Sequence, residues 1–162
     1  MSGILLNVGC GSKIYGELYG YKCINIDMRK LKIIDVTADV TTLPIKSESV
    51  EYIYASDILE HFPIAKTNDI LIEWRRILKI DGILEIKCPN LISICKRYIN
   101  NEDDTKTTSW RLYGGQGYKL NFHYVGFDHK WLESILREQK FDPFDYQELE
   151  VTNMILKGRK LL

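Results

Sequence analysis

Apolar runs alternate with helical periods along the first ninety residues. Leu5-Leu6-Asn7-Val8, closed by Gly9-Cys10-Gly11, and Cys23-Ile24-Asn25-Ile26-Asp27 read as short buried strands. Ile33-Ile34-Asp35-Val36 is a further short apolar stretch, leading to Ala38-Asp39-Val40 and a turn at Leu43-Pro44. Val50-Glu51-Tyr52-Ile53-Tyr54 is the next strand, closing in Ala55-Ser56-Asp57. From Asn68 to Lys79, residues Ile70, Leu71, Trp74, Ile77 and Leu78 fall on one helical face, with Thr67 or Asn68 as N-cap. Asp81-Gly82 then turns the chain into the strand Ile83 to Cys88, stopped by Pro89. The alternation predicts an α/β fold with a mostly parallel sheet and helices on both faces. In such a sheet ligands lie beyond the carboxyl ends of the strands, so Gly9, Asp27, Asp39, Ser56 and Asn90 converge on one rim.

The second half is less regular. Leu91, Ile94, Cys95 and Tyr98 mark a short amphipathic helix, and the polar run Asn100 to Thr107 reads as a mobile loop. Between Trp110 and Phe127, glycines are interleaved with aromatics and His123; this is either a binding surface or a glycine-rich connection whose aromatics fill the core. A helix follows from Asp128 to Lys140, and Phe144 to Glu150 and Val151 to Lys157 supply the last two strands, the final one antiparallel.

The first turn carries the most specific chemistry. Glycines after a buried strand let backbone approach a ligand, and Asp27, ending the next strand, sits where a carboxylate accepts hydrogen bonds from ribose hydroxyls. A dinucleotide fingerprint requires a third glycine where this chain has Ile14, and a helix N-terminus for the pyrophosphate. About ten residues separate Gly11 from the next strand, too few for a full crossover helix. The spacing favours a nucleoside ligand without phosphate, for which S-adenosylmethionine is the candidate.

Composition sets the remaining bounds. The chain has 162 residues, 45% of them hydrophobic, which suits one domain over 1–162. Its 22 basic residues balance 22 acidic ones, which argues against a nucleic-acid partner. No run reaches the roughly 18 apolar residues of a membrane span, and no signal region opens the chain, so a cytoplasmic location is expected. Cys10, Cys23, Cys88 and Cys95 lack the close pairing of a zinc cluster or a disulfide framework; they read as reduced thiols, and no metal is assigned.

Together these residues resemble a class I S-adenosylmethionine-dependent methyltransferase. The resemblance rests on Leu6 to Gly11, Asn25-Ile26-Asp27, Ala38-Asp39-Val40 with Leu43-Pro44, Ser56 to Phe62, and Trp74 to Gly82, in order across residues 5 to 90. It implies a Rossmann-like sheet and S-adenosylmethionine held by Asn7, Gly9, Cys10, Gly11, Asp27, Met28, Asp39, Val40 and Ser56. Gly9 and Gly11 would border the methionine, Asp27 the ribose, Asp39 and Val40 the adenine, and Ser56 the floor. Two positions depart from the pattern: Lys13 replaces a glycine of the loop, and Ile80-Asp81-Gly82 replaces a proline-glycine-glycine turn.

The segment from Trp110 to Phe127 resembles a small subgroup of these enzymes associated with surface-glycan synthesis. This implies O-methylation of a small-molecule or glycan acceptor by a monomer or homodimer. The first strand lies close to the start of the sequence, so residues 91–127 are expected to form the lid and acceptor insertion. A hydroxyl acceptor must lose a proton, and a histidine suits that role near neutral pH. His61 and His123 are the candidates, each alternatively a cap or backbone partner; His129 opens a helix and reads as exposed. An inactive cofactor-binding or interaction protein, and a small nicotinamide-dependent reductase, are the alternatives.

Overall fold

Leu5, Leu6 and Val8 are almost completely buried because their strand, β1 (Ile4–Val8), lies inside a mixed sheet. The computed structural model describes residues 3–149 and 151–162. The strand order is β2 (Glu17–Leu18), β3 (Tyr21–Asp27), β1, β5 (Val50–Ser56), β6 (Leu78–Pro89), β8 (Asn153–Lys160), β7 (Phe141–Glu148), with β4 (Val36–Thr37) beside β3. Strands β3, β1, β5 and β6 run parallel, whereas β8 is antiparallel to both β6 and β7. The expected parallel sheet with an antiparallel last strand is therefore what forms. Chain order reverses at β1, whose neighbours β3 and β5 lie on opposite sides, and this opens a crevice at its carboxyl end.

The pleat divides the core. Leu6, Val8, Ile26, Ile53, Ala55, Leu84 and Ile86 join Ile70, Leu71, Trp74 and Ile77 of helix α1 (Ile64–Ile77), and Leu132, Ile135 and Leu136 of α4 (His129–Glu138). A smaller cluster holds Leu5, Cys23 and Tyr52, flanked by Tyr15, Leu18, Tyr21, Tyr54 and Ile83. The fully buried Trp74 donates its indole N–H to the Val40 carbonyl at 3.1 Å, so this large side chain leaves no polar atom unpaired.

Several boundaries move. Helix α1 begins at Ile64 behind Pro63, not at Asn68, and Thr67 is buried inside it instead of capping it. Proline before the first turn, followed by Ala65 and Lys66, extends the helix backwards without a side-chain cap. Of the Ile33–Val36 stretch only Val36 enters a strand, and Ile33 is exposed. Strand β6 starts at Leu78 and bulges around Asp81 and Gly82, where the turn was expected; Asp81 has φ +62°. Of the last two strands, β7 starts three residues before its expected place and β8 two residues after. Strand β7 runs through Pro143 with a register shift beside it, which an edge strand tolerates. Glu150, the expected end of that strand, lies outside the described residues.

The largest correction concerns residues 100–107. Helix α2 (Leu91–Ile99) is capped by Asn90 as an amphipathic helix, but a second helix, α3 (Thr105–Tyr113), follows at once. Asp104 caps it through the Thr107 N–H at 2.7 Å. Asp103 accepts hydrogen bonds from Arg97 (Nε 3.0 Å, Nη2 3.0 Å) and from Arg111 Nε (2.9 Å), tying the connection to both helices. The expected loop is thus an ion-paired joint.

Candidate functional site

Gly9 and Gly11 sit at φ +65° and +56°, a left-handed backbone that disfavours any residue with a Cβ. A Cβ on Gly9 would lie 2.6 Å from the Ile58 side chain, and one on Gly11 would lie 3.0 Å from Arg29 Nη2. The loop they form is held from below by amides. Asn7 Nδ2 donates to the Lys13 carbonyl (2.8 Å) and to Asn25 Oδ1 (2.9 Å), while Asn25 pairs with the backbone of Tyr15 and with Asp35. Asn7 is therefore spent on shaping the loop. No helix occupies residues 9–20, so the turn offers no helix N-terminus for a pyrophosphate, as the short spacing predicted.

Asp27, 5% exposed, ends β3. Its Oδ2 accepts from the Gly11 N–H (2.8 Å) and Arg29 Nη2 (3.1 Å), and its Oδ1 from the Arg29 N–H (2.8 Å) and Nε (3.0 Å). Burial pushes this carboxyl up, but the hydrogen bonds from Arg29 and Gly11 outweigh it and hold the group below its ordinary range. The guanidinium also lies 5.3 Å over the Tyr118 ring. Burial, with Asp27 adding to it, pushes the Cys10 thiol up to about 11, so Cys10 is a packing residue and not a nucleophile.

Three cavities meet at this rim. One of about 240 Å³ is bordered by Gly9, Asp27, Met28, Arg29 and Tyr118; the next, about 400 Å³, by Gly9, Cys10, Gly11, Lys13, Ser56 and Tyr118. The third, about 260 Å³, lies behind them, between Glu60, Trp110, Arg111, Asn121, His123 and Asn153. Asp57 and His61 border all three. The fold thus gathers Gly9, Cys10, Gly11, Asp27, Met28 and Ser56 with His61 and His123. Asp39, in an exposed turn, and the buried Val40 border none of the three cavities.

The two histidines form one unit. Their rings stand edge to face with centroids 4.8 Å apart. His61 Nδ1 donates to the Phe122 carbonyl at 2.9 Å, and His123 Nδ1 to the Arg111 carbonyl at 3.1 Å. A carbonyl can only accept, so in both neutral rings Nε2 keeps the lone pair. Burial, and for His61 also the neighbouring His123, pushes both pKa values down, so the imidazoles are neutral at pH 7. His129, expected to be exposed, is half-buried and stacks on Tyr146 at 3.7 Å, away from this pair.

Arg29, Asp57 and Glu60 escaped assignment from sequence as site residues. Asp57 has φ +54°, accepts from Ser56 Oγ (2.8 Å) and Asn153 Nδ2 (3.0 Å), and lies 3.8 Å from Lys13 Nζ. A strained backbone at a strand end flags a functional position, but it is invisible in a residue string. Glu60 is 1% exposed, and burial pushes its carboxyl up to about 8. Its adjacency to His61 was the available signal.

A sheet that reverses at β1, with a glycine turn and a carboxylate beyond the next strand, defines a Rossmann-like nucleoside-cofactor enzyme. Residues 6–86 match the family described as methyltransferase domain, and the chain belongs to that family. It is an S-adenosylmethionine-dependent methyltransferase. No curated protein matches it in sequence.

Solved structures share the fold. The Burkholderia thailandensis 1,6-didemethyltoxoflavin-N1-methyltransferase, with its substrate and S-adenosylhomocysteine bound, superposes with TM-score 0.71 at 16% identity, over 99% of this chain and 72% of that one. A Methanosarcina mazei S-adenosylmethionine-dependent methyltransferase gives 0.71 at 21% identity, over 99% and 93%. A Pyrococcus horikoshii protein gives 0.74 at 15% identity, over 99% and 82%. The residues suit this cofactor: a glycine turn bordering the cavities, a buried carboxylate, and no phosphate-binding helix. One adjustment is needed, because all four acceptor positions of Asp27 are already taken.

Proposed function

We propose that the chain O-methylates a small molecule or glycan unit seated in the 260 Å³ cavity, with S-adenosylmethionine across the two cavities beside Gly9 and Asp27. The reading is carried by Asp57 and His61, which border both the donor and the acceptor side. In-line displacement needs the acceptor oxygen about 3 Å from the methyl carbon with water kept away, and a shared wall of two side chains permits that approach. The volume is at the small end of ligand sites and suits one ring-sized unit. Trp110 offers an aromatic face, and Asn121, Thr152 and Asn153 offer hydrogen bonds to hydroxyls. This lining favours a sugar-like acceptor.

Neutral imidazoles with free Nε2 atoms can accept the proton of the acceptor hydroxyl, which assigns the base to His61 or His123. Asp27 takes the ribose, Gly9 and Gly11 border the methionine, and residues 91–127 serve as the lid, since Trp110, Tyr118, Asn121 and His123 border the cavities. The test is transfer of labelled methyl into a panel of sugars and hydroxylated small molecules. His61→Ala and His123→Ala are expected to lower turnover by about 100-fold or more for the variant that removes the base. Affinity for S-adenosylhomocysteine should change by less than about threefold. Full turnover in both variants would remove the assignment.

A further inference from the structure

Glu60 has no partner that explains its place. It is 1% exposed, and neither carboxyl oxygen has a hydrogen bond among the described residues. A buried carboxyl with both oxygens unpaired is costly in either protonation state, so a group that satisfies it is expected at the site. One nitrogen of His61, one of His123 and one oxygen of Glu60 lie within 4.8 Å of one another, and all three residues border the 260 Å³ cavity. Both imidazoles are fixed with Nδ1–H on a backbone carbonyl and Nε2 free. Outer-shell hydrogen bonds hold metal-binding histidines in the same way.

We propose that Glu60, His61 and His123 form a binding site for a divalent first-row transition ion of the zinc type. Two imidazoles and one carboxylate suit zinc and its neighbours, whereas magnesium and calcium prefer oxygen alone. In a tetrahedral site two bonds of about 2.1 Å put ligand atoms about 3.4 Å apart, so separations of up to 4.8 Å close through side-chain rotation when the ion binds. The remaining coordination positions face the cavity that those residues border. A ligated imidazole has no lone pair left for a proton: with the ion bound the pair holds the metal, and without it the pair serves as base. The role of the ion in methyl transfer rests on the function proposed above; its binding does not.

The test uses the full chain stripped with a chelator and shown to bind S-adenosylhomocysteine. Titration with Co²⁺, read by visible absorption, and with Zn²⁺, read by calorimetry, is expected to show one ion per chain. Glu60→Gln and His123→Ala should each weaken Zn²⁺ binding at least about tenfold. His129→Ala should leave it unchanged. No uptake by stripped protein that still binds S-adenosylhomocysteine overturns the proposal, and so does uptake equally tight in Glu60→Gln and His123→Ala. If Glu60→Gln fails to bind S-adenosylhomocysteine, and so to fold, His123→Ala alone decides. Metal uptake without methyl transfer into any hydroxyl would count against the proposed acceptor class and leave the metal site standing.

Discussion

Removing the Arg29 side chain should tighten cofactor binding. A carboxylate offers about four lone-pair positions, and Asp27 has filled them with two backbone N–H groups and two guanidinium nitrogens. The backbone donors are fixed by the turn, so a ribose diol gains its two positions only if the guanidinium leaves. That side chain is 36% exposed, and a half-solvated pair of this kind is worth about 1 kcal/mol after screening. Leaving Tyr118 adds about 0.5 kcal/mol. Arg29→Ala avoids both costs, and its Kd for S-adenosylhomocysteine should fall about 10-fold. Asp27→Ala removes charge-assisted bonds of about 1.5–3 kcal/mol and should weaken binding more than about tenfold. Calorimetry at two salt concentrations separates the contributions. Added salt should loosen the ion pair and tighten binding in the parent chain but not in Arg29→Ala. Unchanged or weaker binding in Arg29→Ala refutes the displacement, and unchanged binding in Asp27→Ala refutes the ribose assignment itself.

Two further outcomes test the scaffold. The buried Tyr52 hydroxyl donates to the almost fully buried Glu85, so Tyr52→Phe should cost about 1–3 kcal/mol, lowering Tm by about 2–10 °C in a thermal melt. A melt unchanged within 1 °C or so would show that Glu85 finds an equal partner. Arg97, and with it Arg111, hold the Asp103 carboxyl below its ordinary range. A depressed folded pKa stabilises the joint above the ordinary carboxylate value of about 3.9, and that contribution is lost as pH falls through the folded value. Residues 100–107 should therefore resist proteolysis from pH 7 down to about 5, whereas Asp103→Asn should be cut there at neutral pH; equal cutting of both proteins would count against the joint.

Apolar period alone located the interior. Leu5 to Val8, Cys23 to Asp27, Val50 to Tyr54 and Ile83 to Cys88 are strands because each carries apolar side chains that must be buried, and α1 and α4 carry their apolar stripes where the spacing put them. What escaped was set by partners distant in sequence or by small local chemistry. Asp103 reads as loop among its polar neighbours, and only the arrival of Arg97 and Arg111 from two helices makes it an anchor. Helix α3 has a weak apolar stripe, so its clearest signal was the Asp104 cap. Strand β7 starts at Phe141, ahead of the expected Phe144, because on an edge Pro143 only shifts the register.

The site divides along the same line. Its cofactor half is local: a glycine turn and one acid at the ends of two adjacent strands, in a spacing too short for a helix that would hold a pyrophosphate. The proposed acceptor half is not, since Glu60 and His61 meet His123 only because the Tyr124 N–H bonds the Glu60 carbonyl (2.8 Å) and the His123 N–H bonds the Tyr113 carbonyl (3.1 Å). Those backbone bonds fix the distance between the imidazoles, and the carbonyls of Phe122 and Arg111 then fix their tautomers. The segment from Trp110 to Tyr124 supplies one histidine and orients both, so under the proposed base assignment a change in its path should lower turnover while leaving the glycine turn and Asp27 intact.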